Sequence, residues 1–143
     1  MRFARLLYLT FGLCFTISGQ TLAVELSGSA APTSPDQEMQ QAKTQFNQGA
    51  LAQAAVHWTE AARLYLQQER PLQQCQALIN LAHALEQGGQ IKRAQVTLQT
   101  ALKLSEQAGN RALTATILGR LGSAAFALGK GAQAAEHLTK ALE

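Results

Sequence analysis

The feature that most constrains the fold of this chain is a pattern that recurs at a fixed interval. Gly49, Gly89 and Gly129 mark the same point in three successive units, which gives a period of 40. Five, nine and twelve residues after each glycine the chain carries an alanine, a large apolar residue and an alanine. These residues are Ala54, Trp58, Ala61, Ala94, Leu98, Ala101, Ala134, Leu138 and Ala141. A fixed period of roughly 20 to 50 residues is typical of stacked repeat arrays, in which each unit needs its neighbours to bury its apolar face.

Each unit has the pattern of two helices joined by a glycine-marked turn. Apolar residues recur at helical spacing, as in Leu78, Leu81, Ala82 and Leu85, and β-branched residues are sparse. No proline follows Pro71. The fold class predicted is therefore all-α. The helices are predicted over residues 35–48, 51–69, 72–87, 91–107, 111–128 and 131–142.

Residues 1–23 have the pattern of a secretory signal peptide. Arg2 and Arg5 precede an apolar run over 6–17, and small residues end at Ala23. We expect cleavage after Ala23. Two alternatives stay open: an uncleaved membrane anchor, and a lipoprotein acylated at Cys14.

The rest of the chain divides into a linker and a repeat domain. Residues 24–33 are small and polar without periodicity, which favours a flexible linker. The repeat domain is predicted over 34–143. Its units are predicted at about 35–70, 71–109 and 110–143. At its start, Ser34, Pro35 and Gln37 have the arrangement of a capping box with proline at the first helical position.

Composition argues against a nucleic-acid partner. The formal charge is +3, and it falls to +1 when Arg2 and Arg5 leave with the signal peptide. Nucleic-acid binding needs a clustered basic face, which this balance does not supply. Cys75 is the only cysteine after the predicted cleavage point. We interpret it as a buried structural thiol, with an intermolecular or reactive thiol as the alternative.

Small residues recur where two helices of a unit must approach closely. Ala42, Ala82 and Gly122 each lie seven residues before the turn glycine. A large side chain there would separate the two helices, so close packing requires a small residue.

At these positions the chain resembles the tetratricopeptide repeat family. The third unit carries the resemblance best, through Leu118, Leu121, Gly122, Phe126, Gly129, Ala134, Leu138, Ala141 and Leu142. The resemblance covers about residues 35–143 and implies a right-handed α-solenoid of three helix-turn-helix repeats. The family's usual period is ~34 residues, so a period of 40 implies a long-repeat variant with longer helices. Long repeats of this kind are similar to those ahead of bacterial caspase-like protease domains.

The resemblance also implies a binding site. In the family, the first helix of each unit lines a concave groove that holds a peptide or protein partner. Carried onto this chain, the groove residues are Lys43, Phe46, Asn80, His83, Glu86 and Arg120. Met39, Ile79, Thr116 and Ser123 are expected on the same surface. Some family members hold a peptide's C-terminal carboxylate with lysines, asparagines and an arginine, and here Asn80 and Arg120 occupy two of the matching positions.

Catalysis, metals and cofactors have no support in the sequence. His57 and His137 fall at one repeat position and are expected to be solvated surface histidines, since neither has a nearby ligand set for a metal. His83 has no nucleophile and no orienting acid beside it. The glycines at 88–89 and 129–131 do not have the spacing of a phosphate loop.

The last unit is not followed by a polar capping helix, so we expect Ala125, Leu128, Leu138 and Leu142 to be partly exposed. The first hypothesis for function is an exported, periplasmic or secreted scaffold that binds a protein or peptide in its groove and touches a membrane only through the signal segment. The alternatives are a recognition module of a larger repeat-plus-protease protein, of which this chain is a fragment or relative, and self-association through the last repeat.

Overall fold

Six α-helices follow one another along residues 33–143, which are the residues that the computed structural model describes. They are α1 (Pro35–Asn47), α2 (Leu51–Gln67), α3 (Pro71–Gln87), α4 (Ile91–Gln107), α5 (Arg111–Ala127) and α6 (Gly131–Ala141). Each boundary lies within two residues of the predicted one. The predicted signal peptide over 1–23 and nearly all of the linker over 24–33 lie outside the described residues.

The start of α1 has the predicted capping box. The Gln37 backbone N–H donates to Ser34 Oγ at 3.2 Å, and the Ser34 N–H donates to Gln37 Oε1 at 2.8 Å. Pro35 occupies the first turn, where its missing N–H leaves no helical hydrogen bond unmade. The reciprocal bonds satisfy backbone donors that would otherwise lack partners.

The helices recur with half the period seen in the sequence. Helices α2 to α6 begin at positions 51, 71, 91, 111 and 131, and a short turn separates each helix from the next. At the middle of these turns the chain takes a positive φ, at Gly49, Gly89, Gly109 and Gly129 and also at Glu69. At Glu69 φ is 54°. The sequence hides this shorter period because glutamate replaces glycine at this one turn.

Replacing Glu69 with glycine is expected to stabilise the fold. A left-handed conformation costs an ordinary side chain about 1 to 2 kcal/mol, and glycine avoids that cost. The gain is partly offset because glycine makes the unfolded chain more flexible. We therefore expect the free energy of unfolding, measured in a chemical unfolding titration, to rise by about 1 kcal/mol. A matched Glu106→Gly change, at an exposed position within α4, should instead destabilise. A loss of stability in Glu69→Gly would contradict the strain assigned to this turn.

The helices pack in sequence order, each against the one before and the one after it, as an all-α solenoid. Ala42 and Ala82 are fully buried, as are Leu98, Ile117 and Leu121. A Cβ at Gly122 would lie 2.8 Å from Leu138 Cγ and 3.3 Å from Ala134 O, so only glycine fits there without displacement. The predicted role of small residues at the close contacts is confirmed.

The outer face of α1 differs from the same face of α3 and α5. On α3 and α5 this face is apolar and buried under the preceding helix, through Ala77, Leu81, Leu85, Ile117, Leu121 and Ala125. The residues of α1 that correspond to those of α3, one repeat period earlier, are Gln37, Gln41 and Gln45. Polar residues suit a face that no helix covers in the described part of the chain.

The opposite end of the array exposes apolar side chains. Phe126 is 75% exposed, Leu138 47% and Leu142 90%. The expected exposure of Leu138 and Leu142 is confirmed. The expectation for Ala125 is wrong, because Ala125 is fully buried.

Cys75 is fully buried in α3, as expected for a structural thiol. Its Sγ donates a hydrogen bond to the carbonyl oxygen of Ala101 at 3.3 Å. Burial raises the pKa of the thiol to about 11, which keeps it protonated near neutral pH. Over residues 33–143 none of the helices combines the length and the apolar character needed to cross a membrane.

Candidate functional site

A cavity of about 600 Å³ lies among the first three helices. One stripe of α1 lines it, because residues three and four apart share a helix face. Its lining residues are Asp36, Met39, Gln40, Lys43, Phe46 and Asn47 from α1, Trp58 and Tyr65 from α2, and Asn80 and His83 from α3. The volume is in the range of typical ligand pockets, about 300 to 1,000 Å³.

Aromatic rings form a large part of the lining. The Phe46 ring lies 5.4 Å from the Trp58 ring and 5.0 Å from the His83 ring, tilted in both cases. Trp58 is buried, and its indole Nε1 has no hydrogen-bond partner within the described residues. A buried donor without a partner costs stability unless an acceptor reaches it.

Tyr65 and Asp36 close one end of the cavity. The Tyr65 hydroxyl donates to Asp36 Oδ1 at 2.6 Å, and the Arg70 guanidinium stacks 4.9 Å from the centre of the Tyr65 ring. Burial, reinforced by the hydrogen bond to Asp36, raises the pKa of Tyr65 to about 12. The phenol therefore stays protonated and fixes the position of the carboxylate.

The structure brings four of the six predicted groove residues together in this cavity: Lys43, Phe46, Asn80 and His83. Glu86 and Arg120 are not part of its lining. They pair with each other between α3 and α5, where Arg120 Nη1 donates to Glu86 Oε2 at 2.8 Å, and both side chains are partly buried. Whether the six residues bind a partner stays a prediction.

The ion pair between Glu86 and Arg120 affects the carboxylate-binding site that the family resemblance implies. Arg120 already donates to an internal carboxylate, so binding a second one would require it to share or break that bond. Asn80 Oδ1 accepts from Gln76 Nε2 at 3.4 Å, which leaves the amide N–H groups of Asn80 unused in that bond. Arg120, the cation of the implied carboxylate site, is therefore not preorganised for a peptide's terminal carboxylate.

The other residues expected on the groove surface make local contacts. Ile79 is buried in the core, so its expected place in the groove is wrong. Thr116 Oγ1 donates to Ala112 O at 3.0 Å, and Ser123 Oγ donates to Gly119 O at 3.2 Å. Both hydroxyls therefore bond to the backbone of their own helix.

Sequence reasoning missed several lining residues that the helical period could have supplied. Asp36, Gln40 and Asn47 lie seven, three and four residues from Lys43 on α1, which places them on its face. Tyr65 lies seven residues after Trp58 on α2, two helical turns further along the same side. Lys43 was predicted, and the spacing of an α-helix applied to Lys43 would have predicted its neighbours on the same face.

The expectation for His57, which lies outside the cavity described above, also needs correction. Its Nδ1 lies 2.7 Å from Oε2 of Glu38, whose side chain is 8% exposed, while the His57 side chain is 29% exposed. The expectation of a solvated surface histidine is wrong, because the histidine is the partner of a buried carboxylate. Across residues 33–143 no cluster of three or more metal-ligating side chains is present.

Comparisons with known proteins agree with this geometry. The family model described as "Tetratricopeptide repeat" matches residues 73–143, about half of the chain. No curated protein matches the chain in sequence. Nineteen chains of solved structures match it. One is the crystal structure of the tetratricopeptide repeat domain of FLU from Arabidopsis, with a TM-score of 0.71 and 16% identity over 76% of this chain and 91% of that one. The repeat register, the stacked helix pairs and the family match all agree. The chain belongs to the tetratricopeptide repeat family.

Proposed function

We propose that this protein is an exported interaction scaffold that binds a peptide or protein segment in the cavity formed by α1, α2 and α3, and that it has no catalytic activity of its own. The observation that carries the proposal is the convergence of Lys43, Phe46, Asn80 and His83 on one cavity. The family's fold supports protein interaction in general. The lining of the cavity supports the more specific part of the proposal, which is that a peptide or protein segment binds there.

The chemistry of the lining supports binding rather than turnover. His83 Nε2 lies 3.2 Å from Gln87 Nε2, and the His83 ring packs against Phe46 at a tilt of 45°, so its partners are an amide and a ring. Within the described lining, no hydroxyl, thiol or carboxylate group lies beside His83 in the geometry of a catalytic set. The combination of rings with a few polar groups is typical of a recognition surface.

Export rests on the sequence alone. The charged start, the apolar run and the small residues before Val24 are typical of a cleaved signal peptide. The protein recovered from its own cells should therefore begin at Val24 and lie outside the cytoplasm, in the periplasm or the medium. N-terminal sequencing of the fractionated protein tests this, and a cytoplasmic chain that retains Met1 would contradict export.

A photo-crosslinking amino acid at the cavity tests the binding site. We place it at Gln40, which lines the cavity, and for comparison at Gln99, which is exposed on α4 and outside it. The full chain carrying either substitution is expressed in the cells that make it and irradiated. The expected result is a discrete covalent adduct from position 40 that position 99 does not give. No adduct from position 40, or the same adducts from both positions, would overturn the proposed site.

A further inference from the structure

Aromatic side chains are concentrated at this cavity. Residues 33–143 contain four phenylalanine, tryptophan and tyrosine residues, and three of them, Phe46, Trp58 and Tyr65, line the cavity. At the equivalent positions of the next unit, one repeat period later, the chain has Glu86, Leu98 and Ser105. The second unit packs its helices without rings at these positions. Trp58 and Tyr65 are buried, whereas Phe46 is partly exposed and is the ring that an occupant of the cavity can reach.

The polar groups around the rings select for backbone rather than for charge. Three carboxamides, from Gln40, Asn47 and Asn80, line the cavity, and each offers both a donor and an acceptor. Asp36 and Lys43 bring one charge of each sign, so the lining has no net preference for an acid or a base. Arg120, the cation that would favour a terminal carboxylate, is held by Glu86.

We infer that the cavity anchors an internal segment of the partner protein through one aromatic or large aliphatic side chain, while the lining carboxamides bond to the backbone of that segment. This inference rests on the proposed function and adds the class of ligand. The anchoring side chain lies against the ring of Phe46, where ring contacts and burial both favour it. A free C-terminal carboxylate is not required.

Blocked peptides test the inference with the fluorescence of Trp58, which is the only tryptophan in the chain. The probes are acetylated, amidated heptapeptides of serine and glycine whose central residue is phenylalanine, leucine, alanine or lysine. Titration of the full chain should give dissociation constants about tenfold or more lower for phenylalanine and leucine than for alanine and lysine. The phenylalanine peptide with a free C-terminal carboxylate should bind within about twofold of its amide.

Matched variants separate the cavity from other apolar surface. Phe46→Ala should weaken binding of the phenylalanine peptide about tenfold or more, whereas Phe126→Ala should leave it unchanged. Phe126 occupies the same repeat position in the third unit, is exposed and lies outside the cavity. Because Phe46 also packs on Trp58, a second variant is needed at a lining residue outside the core clusters. Asn80→Ala removes one lining carboxamide and should weaken binding about threefold or more.

Three outcomes would overturn the inference: a preference for lysine, a requirement for the free carboxylate, or binding that is insensitive to both Phe46→Ala and Asn80→Ala. Each is distinguishable from failure of the proposed function. An adduct at position 40 combined with peptides that do not discriminate by side chain would reject the anchor and leave the groove-binding function standing. Absence of the adduct would reject the function itself.

Discussion

Leu98→Ala is expected to lower the free energy of unfolding by about 2 to 5 kcal/mol, because it removes a fully buried side chain and leaves a cavity that the helices only partly close. Leu98 lies in α4, at the centre of the array, and belongs to the cluster that joins all three units. Small domains are stable by only about 5 to 15 kcal/mol. The variant should therefore unfold at a much lower urea concentration, measured by circular dichroism in the far ultraviolet.

Val96→Ala is the matched control for this experiment. Val96 lies two residues away on the same helix and is 64% exposed. The Val96→Ala variant loses only apolar surface that water already reaches, so its free energy of unfolding should change by no more than about 0.5 kcal/mol. Equal effects from the two variants would mean that α4 does not direct Leu98 into the core, and the repeat register would be wrong.

His57→Ala is expected to destabilise the protein by about 2 kcal/mol or more, since it leaves the buried carboxylate of Glu38 without the partner that lies 2.7 Å away. Removing one member of a fully buried ion pair costs about 3 to 5 kcal/mol. The cost here should be smaller because the His57 side chain is 29% exposed and water can reach its position. Urea unfolding followed by circular dichroism measures it.

The second unit indicates a double variant that should restore the stability lost in His57→Ala. One repeat period after Glu38 and His57 the chain has Leu78 and Thr97. The double variant Glu38→Leu, His57→Thr removes both the carboxylate and its partner, so it should recover most of the stability lost in His57→Ala. A double variant no more stable than His57→Ala would show that the single change acts through lost packing rather than through an unpaired charge.

The repeat and its helices could be predicted because they depend on periodic, local features. The turn glycines, the small residues such as Ala82 and Gly122, and the capping box at Ser34 each act within one unit, so their spacing is visible in the sequence. Glu69 is the exception. A glutamate gives no signal for a left-handed backbone, and the structure holds it there because the neighbouring helices fix both ends of the turn.

The polar pairs could not be predicted in the same way. Glu38 and His57 are 19 residues apart on different helices, and Glu86 and Arg120 are 34 apart. Neither pair recurs at the repeat period, so no pattern marks it. The repeat rule placed His57 on the outer surface from its position alone, whereas its surroundings depend on which side chain faces it from α1.

The candidate site was predictable in position but not in composition. The family resemblance placed Lys43, Phe46, Asn80 and His83 on one surface, and the structure shows them around one cavity. The contribution of Trp58 and Tyr65 from α2 depends on ring size, since shorter side chains at their positions, such as Leu98 and Ser105, occupy the second unit instead. Helix geometry fixes where a side chain starts, and its length determines whether it reaches the cavity.

The uniform spacing of the helices also determines how this chain can change in length. Successive helices from α2 onward start at equal intervals, and the short turns between them all contain one left-handed residue. A deletion or duplication of one full repeat period between two equivalent turns, such as those at Gly49 and Gly89, removes or adds one complete layer and rejoins identical turn geometry. A length that is not a whole number of repeat periods leaves the following helices out of register. Gene rearrangement can therefore alter the number of layers in whole steps while α1 keeps its polar outer face.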